Sequence, residues 1–273
     1  TYISTLANLP KKYGQGDGDI NVEWYSKNSD RLLDELKDTT SNKRKSVLSA
    51  LFILTGDKDV HAKMIEDTKV VNENYKKQTK SASEQENWVD WKDVLLKYNE
   101  LTKQANMTYK KKMIQKADMD LLNDFVLLSC YVLFPPRRLM DYGLMKIRNY
   151  DEKEDNFMTK GKMTFNKYKT FGKYGTQTFD MGKEFEGIVK KWAKLNDGDY
   201  LIVSKNGKGS TSPQMNAKLN SIFGGKAVSA NMLRHSYISH FYSGQMPAYS
   251  EMESLSEKMA HGVNTALMYI KKD

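Results

Sequence analysis

One cysteine in 273 residues, Cys130, excludes a disulfide within the chain and leaves a Cys/His metal site without ligands. It lies inside the apolar run FVLLSCYVLF, where a thiol behaves as a small hydrophobe, so the expected setting is reducing and intracellular, not secreted. No apolar run is long enough to span a bilayer, and no signal-peptide pattern opens the chain, so no membrane partner is expected. Thr1 stands where a methionine would be expected, which suggests that part of the natural N-terminus has been removed. An acidic excess is lacking too: 43 basic residues face 34 acidic ones, for a net charge of +9, with the lysines spread along the length. Such a surface favours a polyanion by counterion release, with solubility accounting for a modest part of the charge. The glycines of SKNGKGSTSP lack the spacing of a nucleotide loop, so no NTP site is expected there.

With 39% hydrophobic residues the chain can pack one large or two modest cores. Residues 1–20 carry Pro10 and a glycine cluster and read as a flexible segment. From 21 to 104 the apolar spacing is helical: leucines 32, 33 and 36, then Val47, Leu48, Leu51 and Phe52 up to Gly56, then Val60, Met64, Val71 and Tyr75. A further helix begins near Trp88, with Trp88 and Trp91 as packing anchors. Lys43, Arg44 and Lys45 crowd one helix N-terminus against its macrodipole, a conflict that a DNA phosphate would relieve and a solvated face would leave in place. The stretch from 105 to 117, with Lys110, Lys111 and Lys112, breaks the apolar pattern and reads as a linker. His61 and His240 carry no signal beyond packing or solvent exposure.

The second domain, 118–273, opens with a helix from Leu121 to Phe134 that is apolar nearly all round and stopped by Pro135 and Pro136. Arg137, Arg138 and Asp141 follow at the start of another. Period-two alternation from Phe157 to Met181 predicts an antiparallel hairpin, with Lys167 and Lys169 on one face; both could be edge lysines that discourage aggregation. Phe185, Ile188, Val189, Trp192 and Leu195 make an amphipathic helix, and Tyr200 to Val203 a short strand. Ser229 is placed to cap a helix carrying Asn231, Arg234 and His235. Gly244 and Pro247 end that helix, Leu255 and Met259 mark the next, and Asn264 would cap a last short one.

The final stretch brings together a cation at Arg234, an imidazole at His261 beside Gly262, and a phenol at Tyr269 near Lys271 and Lys272. Taken singly, each has a plain structural reading. Together they suit a phosphodiester, with tyrosine as nucleophile and the cations holding phosphoryl oxygens. In this order, and with Arg138 plus Asp141 and Lys169 upstream, the chain resembles the tyrosine recombinases, the phage-integrase-like family. The likeness spans about residues 118 to 273. Asn231 stands where that family usually has histidine or lysine, and AHG replaces the usual leucine-glycine-histidine, so the chain looks more like the recombinases of large DNA viruses, virophages and eukaryotic mobile elements than like the bacterial enzymes that resolve chromosome dimers.

The resemblance implies a mainly α fold with a small antiparallel β-sheet, in which a helical core-binding domain precedes a mixed α/β catalytic domain. It implies cleavage and rejoining of double-stranded DNA through a 3′-phosphotyrosyl link, with no cofactor and no metal, by a homodimer or homotetramer on DNA. Arg138, Lys169, Arg234, His261 and Tyr269 would be catalytic. Arg138 and Arg234 neutralise the transition state, His261 hydrogen-bonds a nonbridging oxygen, and Lys169 protonates the leaving 5′ oxygen. Asp141, Asn231 and His235 would support them, while Lys43, Arg44, Lys45, Lys110, Lys111 and Lys112 would touch the DNA backbone. The setting would be a host nucleus or viral factory for a eukaryotic or viral source. Two other outcomes share these residues: a type IB topoisomerase, and a DNA-binding protein that has lost its chemistry.

Overall fold

The computed structural model describes residues 2–12, 21–204, 207–243 and 247–271, so Gly244 and Lys272 lie outside it. The chain forms two compact units, residues 1–79 and 80–273. It is mainly helical, with one small four-stranded sheet. Among the described residues no helix is long and apolar enough to cross a membrane.

The first unit holds α1 (Tyr2–Lys12), α2 (Val22–Lys27), α3 (Ser29–Glu35), α4 (Ser41–Thr55) and α5 (Lys58–Lys77). Gly56, at φ +68°, closes α4 in the left-handed conformation that glycine adopts freely, and the Asp57 carboxylate caps α5 through the amides of Asp59 and Val60. Of the segment 1–20 expected to be flexible, residues 2–12 form a helix, and the glycine cluster lies outside the described residues. Leu6 and Leu9 are buried against Leu48 and its neighbours, and the Leu6 carbonyl accepts the Tyr25 hydroxyl.

Arg44 is corrected as a DNA contact. Its guanidinium forks onto Asp67, at 2.6 and 2.7 Å, and also donates to the carbonyls of Lys37 and Thr39, so its charge is already spent on a nearly buried carboxylate. Lys43 is exposed and Lys45 half-buried. His61 stacks on Phe52, a packing role.

The second unit comprises α6 (Ala82–Asn87), α7 (Trp91–Thr108), α8 (Lys116–Val132), α9 (Leu139–Gly143), β1 (Met145–Lys146), β2 (Asn156–Thr159), β3 (Lys162–Phe165), α10 (Phe171–Tyr174), β4 (Gln177–Asp180), α11 (Gly182–Ala193), α12 (Ser212–Ile222), α13 (Ala230–Phe241), α14 (Tyr249–Lys258) and α15 (Val263–Leu267). The division after Thr79 corrects the boundary placed at 105–117. Helix α7, expected in the first domain, lays Trp91, Val94, Tyr98, Leu101 and Ala105 into the same core as α8, with Trp91 edge-on to Tyr237 of α13. Burying that stripe of large apolar side chains outweighs the polar sequence that follows it. Within the supposed linker Lys111 pairs with Asp118 at 2.6 Å, which holds the α7–α8 turn, while Lys110 and Lys112 are exposed.

The sheet is mixed, not purely antiparallel: the order is β1-β2-β3-β4, with β1 parallel to β2 and the other pairs antiparallel. The expected strand at Tyr200 to Val203 is reduced to isolated bridges. Lys167 and Lys169 lie beyond the end of β3 in its connection to β4, where strand pairing has stopped. The Asn156 amide causes the stop: its Oδ1 accepts the backbone amides of Asn166 and Lys167, and its Nδ2 donates to the Lys167 carbonyl. These bonds take the backbone groups that a ladder would need.

Candidate active site

The site is organised on the C-terminal end of α14. Its last carbonyls face cations, which the helix dipole favours there. Lys258 O accepts from Arg137, Met259 O from Arg234 at 3.4 Å, and Ala260 O from Arg138 at 3.2 Å. The chain leaves the helix through a Schellman-type turn: Ala260 N–H donates to Glu257 O and His261 N–H to Ser256 O. Ala260 takes φ +55°, a left-handed conformation that an alanine holds only under constraint. Its carbonyl also receives the Thr170 hydroxyl at 3.0 Å, so the β3–β4 connection is fastened one residue away from His261.

Arg234, 1% exposed, is sunk in α13 beneath Tyr269. Its Nη1 donates to Pro136 O at 3.0 Å and the guanidinium is within hydrogen-bonding reach of the Tyr269 side chain, yet buried Nε and Nη2 make no well-aligned bond to a protein acceptor. Burial opposes its charge; Tyr269 and Asp141 support the charge, while Arg138 opposes it. The guanidinium carbon is 4.9 Å from the Tyr269 ring centre. The His261 ring lies 5.5 Å from the same ring and within 18° of parallel, with Nε2 buried and unpartnered. Three buried polar atoms beside one phenol are thus left for something that brings acceptors or donors of its own.

His261 Nδ1 is 3.3 Å from Gly262 O. Burial, then the charges of Arg234 and Arg138, push its pKa down to about 4. The sign of the pH effect follows. An unfolded histidine takes up its proton near pH 6.5 whereas folded His261 waits until about 4, so acidification through that window favours unfolding. Its share is roughly 3 kcal/mol between neutral pH and pH 4. We expect urea unfolding at pH 7 and pH 4.5 to show wild type losing more stability than His261→Asn; equal losses would contradict the buried, neutral imidazole.

Tyr269 is anchored by its own segment. His235 Nδ1–H donates to Tyr269 O at 2.8 Å, and Lys271 N–H donates to the Ser239 hydroxyl at 2.8 Å. Lys271 Nζ reaches Glu84 at 3.2 Å, and the same carboxylate lies 4.0 Å from His235 Nε2. Burial pushes Glu84 upward, but hydrogen bonds from Ser81 and the Lys271 charge leave it below the usual carboxylate range. Burial also lowers His235, opposed by its bond to the Tyr269 carbonyl.

The other expected residues divide. Arg138 is half-buried at the N-cap of α9 and lines a shallow pocket with Lys167, Tyr168 and Lys169, both lysines being exposed. Asp141, expected as a supporting residue, acts through the neighbouring arginine: its carboxylate accepts Arg137 Nε at 3.0 Å. Arg137, 2% exposed, also donates to Gln177 and stacks on Phe165 at 4.1 Å. The pair Arg137–Asp141 is a buried framework, and Arg138 is the arginine left facing the pocket. Asn231, in the first turn of α13, is exposed, whereas Arg234 one turn on is buried. Asn264 lies within α15, whose N-cap is Gly262. Sequence reasoning missed Glu84, Gln177, Ser239 and Thr170. Among the described residues no group of three or more His, Cys, Asp or Glu side chains is gathered as a metal site would require.

No family model and no curated protein matches the chain. Among solved structures it is similar to XerA recombinase, with a TM-score of 0.46 and 13% identity, over 100% of this chain and 93% of that one. It is also similar to XerH site-specific recombinase bound to difH substrate in a pre-cleavage complex, with a TM-score of 0.46 and 17% identity, over 98% of this chain and 81% of that one.

Proposed function

We propose that this chain is a site-specific DNA strand transferase of the tyrosine recombinase type, with Tyr269 as nucleophile. The observation that carries the reading is the buried Arg234 guanidinium, which lies against the Tyr269 phenol and has no well-aligned protein acceptor at Nε and Nη2. A desolvated cation with unmet donors is costly to keep, and an anion with several oxygens is what would meet it. With Arg138 close by, such a site suits a phosphodiester, and the phenol supplies a nucleophile at its edge. The +9 charge supports double-stranded DNA as the source of that phosphate.

In the proposed reaction the Tyr269 oxygen bonds to phosphorus and the bond from phosphorus to the 5′ oxygen breaks. The electron pair leaves on that oxygen, which takes a proton from Lys169. Arg138 and Arg234 offset the charge that gathers on the nonbridging oxygens. Attack by the 5′ hydroxyl of a second duplex reverses the step and exchanges strands. That exchange requires two duplexes at once, hence a homodimer or homotetramer acting on DNA inside the cell. The branch of large DNA viruses and mobile elements is the proposed source, on the strength of Asn231 and the AHG segment.

A pool of nicked duplexes of randomised sequence tests the reading, because loss of a short cleaved strand prevents rejoining. Covalent protein–DNA adducts recovered after denaturation are expected. Tight, salt-sensitive binding without any adduct would favour a binding protein, and plasmid relaxation by monomers without recombinants would favour a topoisomerase. The proton donor has its own test. A general acid contributes roughly 10² to 10⁴ in rate. On a substrate whose 5′ bridging oxygen is sulfur, a far better leaving atom, Lys169→Ala is expected to recover most of its loss while Arg234→Ala does not. Rescue of Lys167→Ala in place of Lys169→Ala would move the role by two residues.

A further inference from the structure

Attack by tyrosine needs a place for the phenol proton, and the surroundings of Tyr269 can be searched for one. Asn231 is exposed and an amide does not take up a proton at neutral pH. His235 is near, with rings 4.7 Å apart, but its Nδ1–H is engaged by the carbonyl of Tyr269 itself and its Nε2 faces Glu84. Glu84 is held by Lys271 and Ser81, and Asp141 by Arg137. Arg138 and Arg234 only donate. His261 remains. Its Nδ1 faces the Gly262 carbonyl, which can only accept, so the proton of the neutral ring sits on Nδ1 and Nε2 presents a lone pair. That nitrogen is buried, unpartnered and in a ring stacked beside the phenol.

Resting on the proposed function, we propose that His261 Nε2 is the base that accepts the Tyr269 proton, in place of the donor to a nonbridging oxygen that the resemblance implies. As the Tyr269 oxygen bonds to phosphorus, its hydrogen passes to Nε2 and the ring becomes an imidazolium. On rejoining, the imidazolium returns that proton to the departing phenolate, so no co-reactant is consumed.

Bound DNA strengthens the base. The charged or titratable groups facing His261 are Arg234 from α13, Arg138 at the start of α9 and Tyr269 beyond α15, with the Tyr174 hydroxyl of α10 beside Gly262. In the free protein burial and the two arginines together oppose protonation. A phosphodiester anion seated on those arginines offsets their field at the imidazole and raises its proton affinity, while the larger effect of burial stays.

Changing the acidity of the nucleophile separates a base from a donor. Position 269 is filled with tyrosine or with a polyfluorinated tyrosine whose phenol ionises at lower pH, in wild type and in His261→Ala. Adduct formation is followed on a duplex recovered from the nicked pool. With ordinary tyrosine His261→Ala is expected to lose roughly 10² to 10⁴ in rate. With the fluorinated residue, which needs no base, the ratio of wild type to variant is expected to shrink to within about tenfold. An undiminished ratio would overturn the proposal. His261→Trp guards against a folding defect and keeps a ring N–H without a lone pair; it is expected to be as slow as alanine, and wild-type speed there would restore the donor role. A wild-type protein that forms no adduct with either residue would remove the proposed function, and this role with it.

Discussion

Tyr269→Phe is expected to abolish covalent attachment to DNA altogether while leaving DNA affinity within about twofold of wild type, since phosphate contacts set that affinity. The substitution deletes one oxygen. The ring that packs on Arg234, His261 and His235 remains, and the well-formed bonds of this segment run through the Tyr269 carbonyl and the Lys271 amide, so the hydroxyl's loss removes only its interaction with Arg234. Stability should therefore change by no more than about 1 kcal/mol, as for a substitution that opens no cavity. Denaturing gels of trapped complexes and filter binding at a fixed salt concentration give the two readouts. A Tyr269→Phe protein that still forms adducts would assign the nucleophile to another residue.

The second large effect separates neighbours. Arg138→Ala and Arg234→Ala should each slow cleavage by roughly 10² to 10³ or more, the loss seen when one stabilising donor is removed from a developing oxyanion. Arg137→Ala should act on the fold instead. Its guanidinium holds Asp141, Gln177 and the Lys258 carbonyl and stacks on Phe165, and its removal strands a carboxylate that is 2% exposed. Breaking such a pair costs roughly 3–5 kcal/mol. We expect urea midpoints to fall for Arg137→Ala and much less for Arg138→Ala, with adduct formation per folded molecule showing the reverse order. Equal catalytic losses at 137 and 138 would mean that the wrong arginine has been placed at the phosphate.

The sequence made the helices visible where the apolar pattern decides the matter, nearly all round in α8 and as one stripe in α11. The two compact units were legible only in number. The stripe of α7 has the same period whichever core it serves, and only the partner surfaces on α8 and α13 reveal that it belongs to the second unit. Arg44 shows the same limit: a run of basic residues looks like a polyanion surface until Asp67, far along the chain, is seen to hold the middle one. At the site, Arg234, His261 and Tyr269 could be grouped because their order and chemistry are written in side chains. The carbonyls of Lys258, Met259 and Ala260, which sort the three arginines, carry no side-chain signature. The acid three residues beyond Arg138 is not paired with it, since Asp141 holds Arg137, a partnership that the spacing does not reveal.

The central claim is that Tyr269 becomes joined to DNA, and one measurement reads it directly. Trypsin cutting after Lys258 and Lys271 releases the peptide from Met259 to Lys271, which contains a single tyrosine. Mass spectrometry of nuclease-trimmed adducts should find this peptide carrying a nucleotide through its 3′ phosphate on Tyr269, with a free 5′ hydroxyl on the released strand. A nucleotide on any other peptide, or one linked through a 5′ phosphate, would contradict the account.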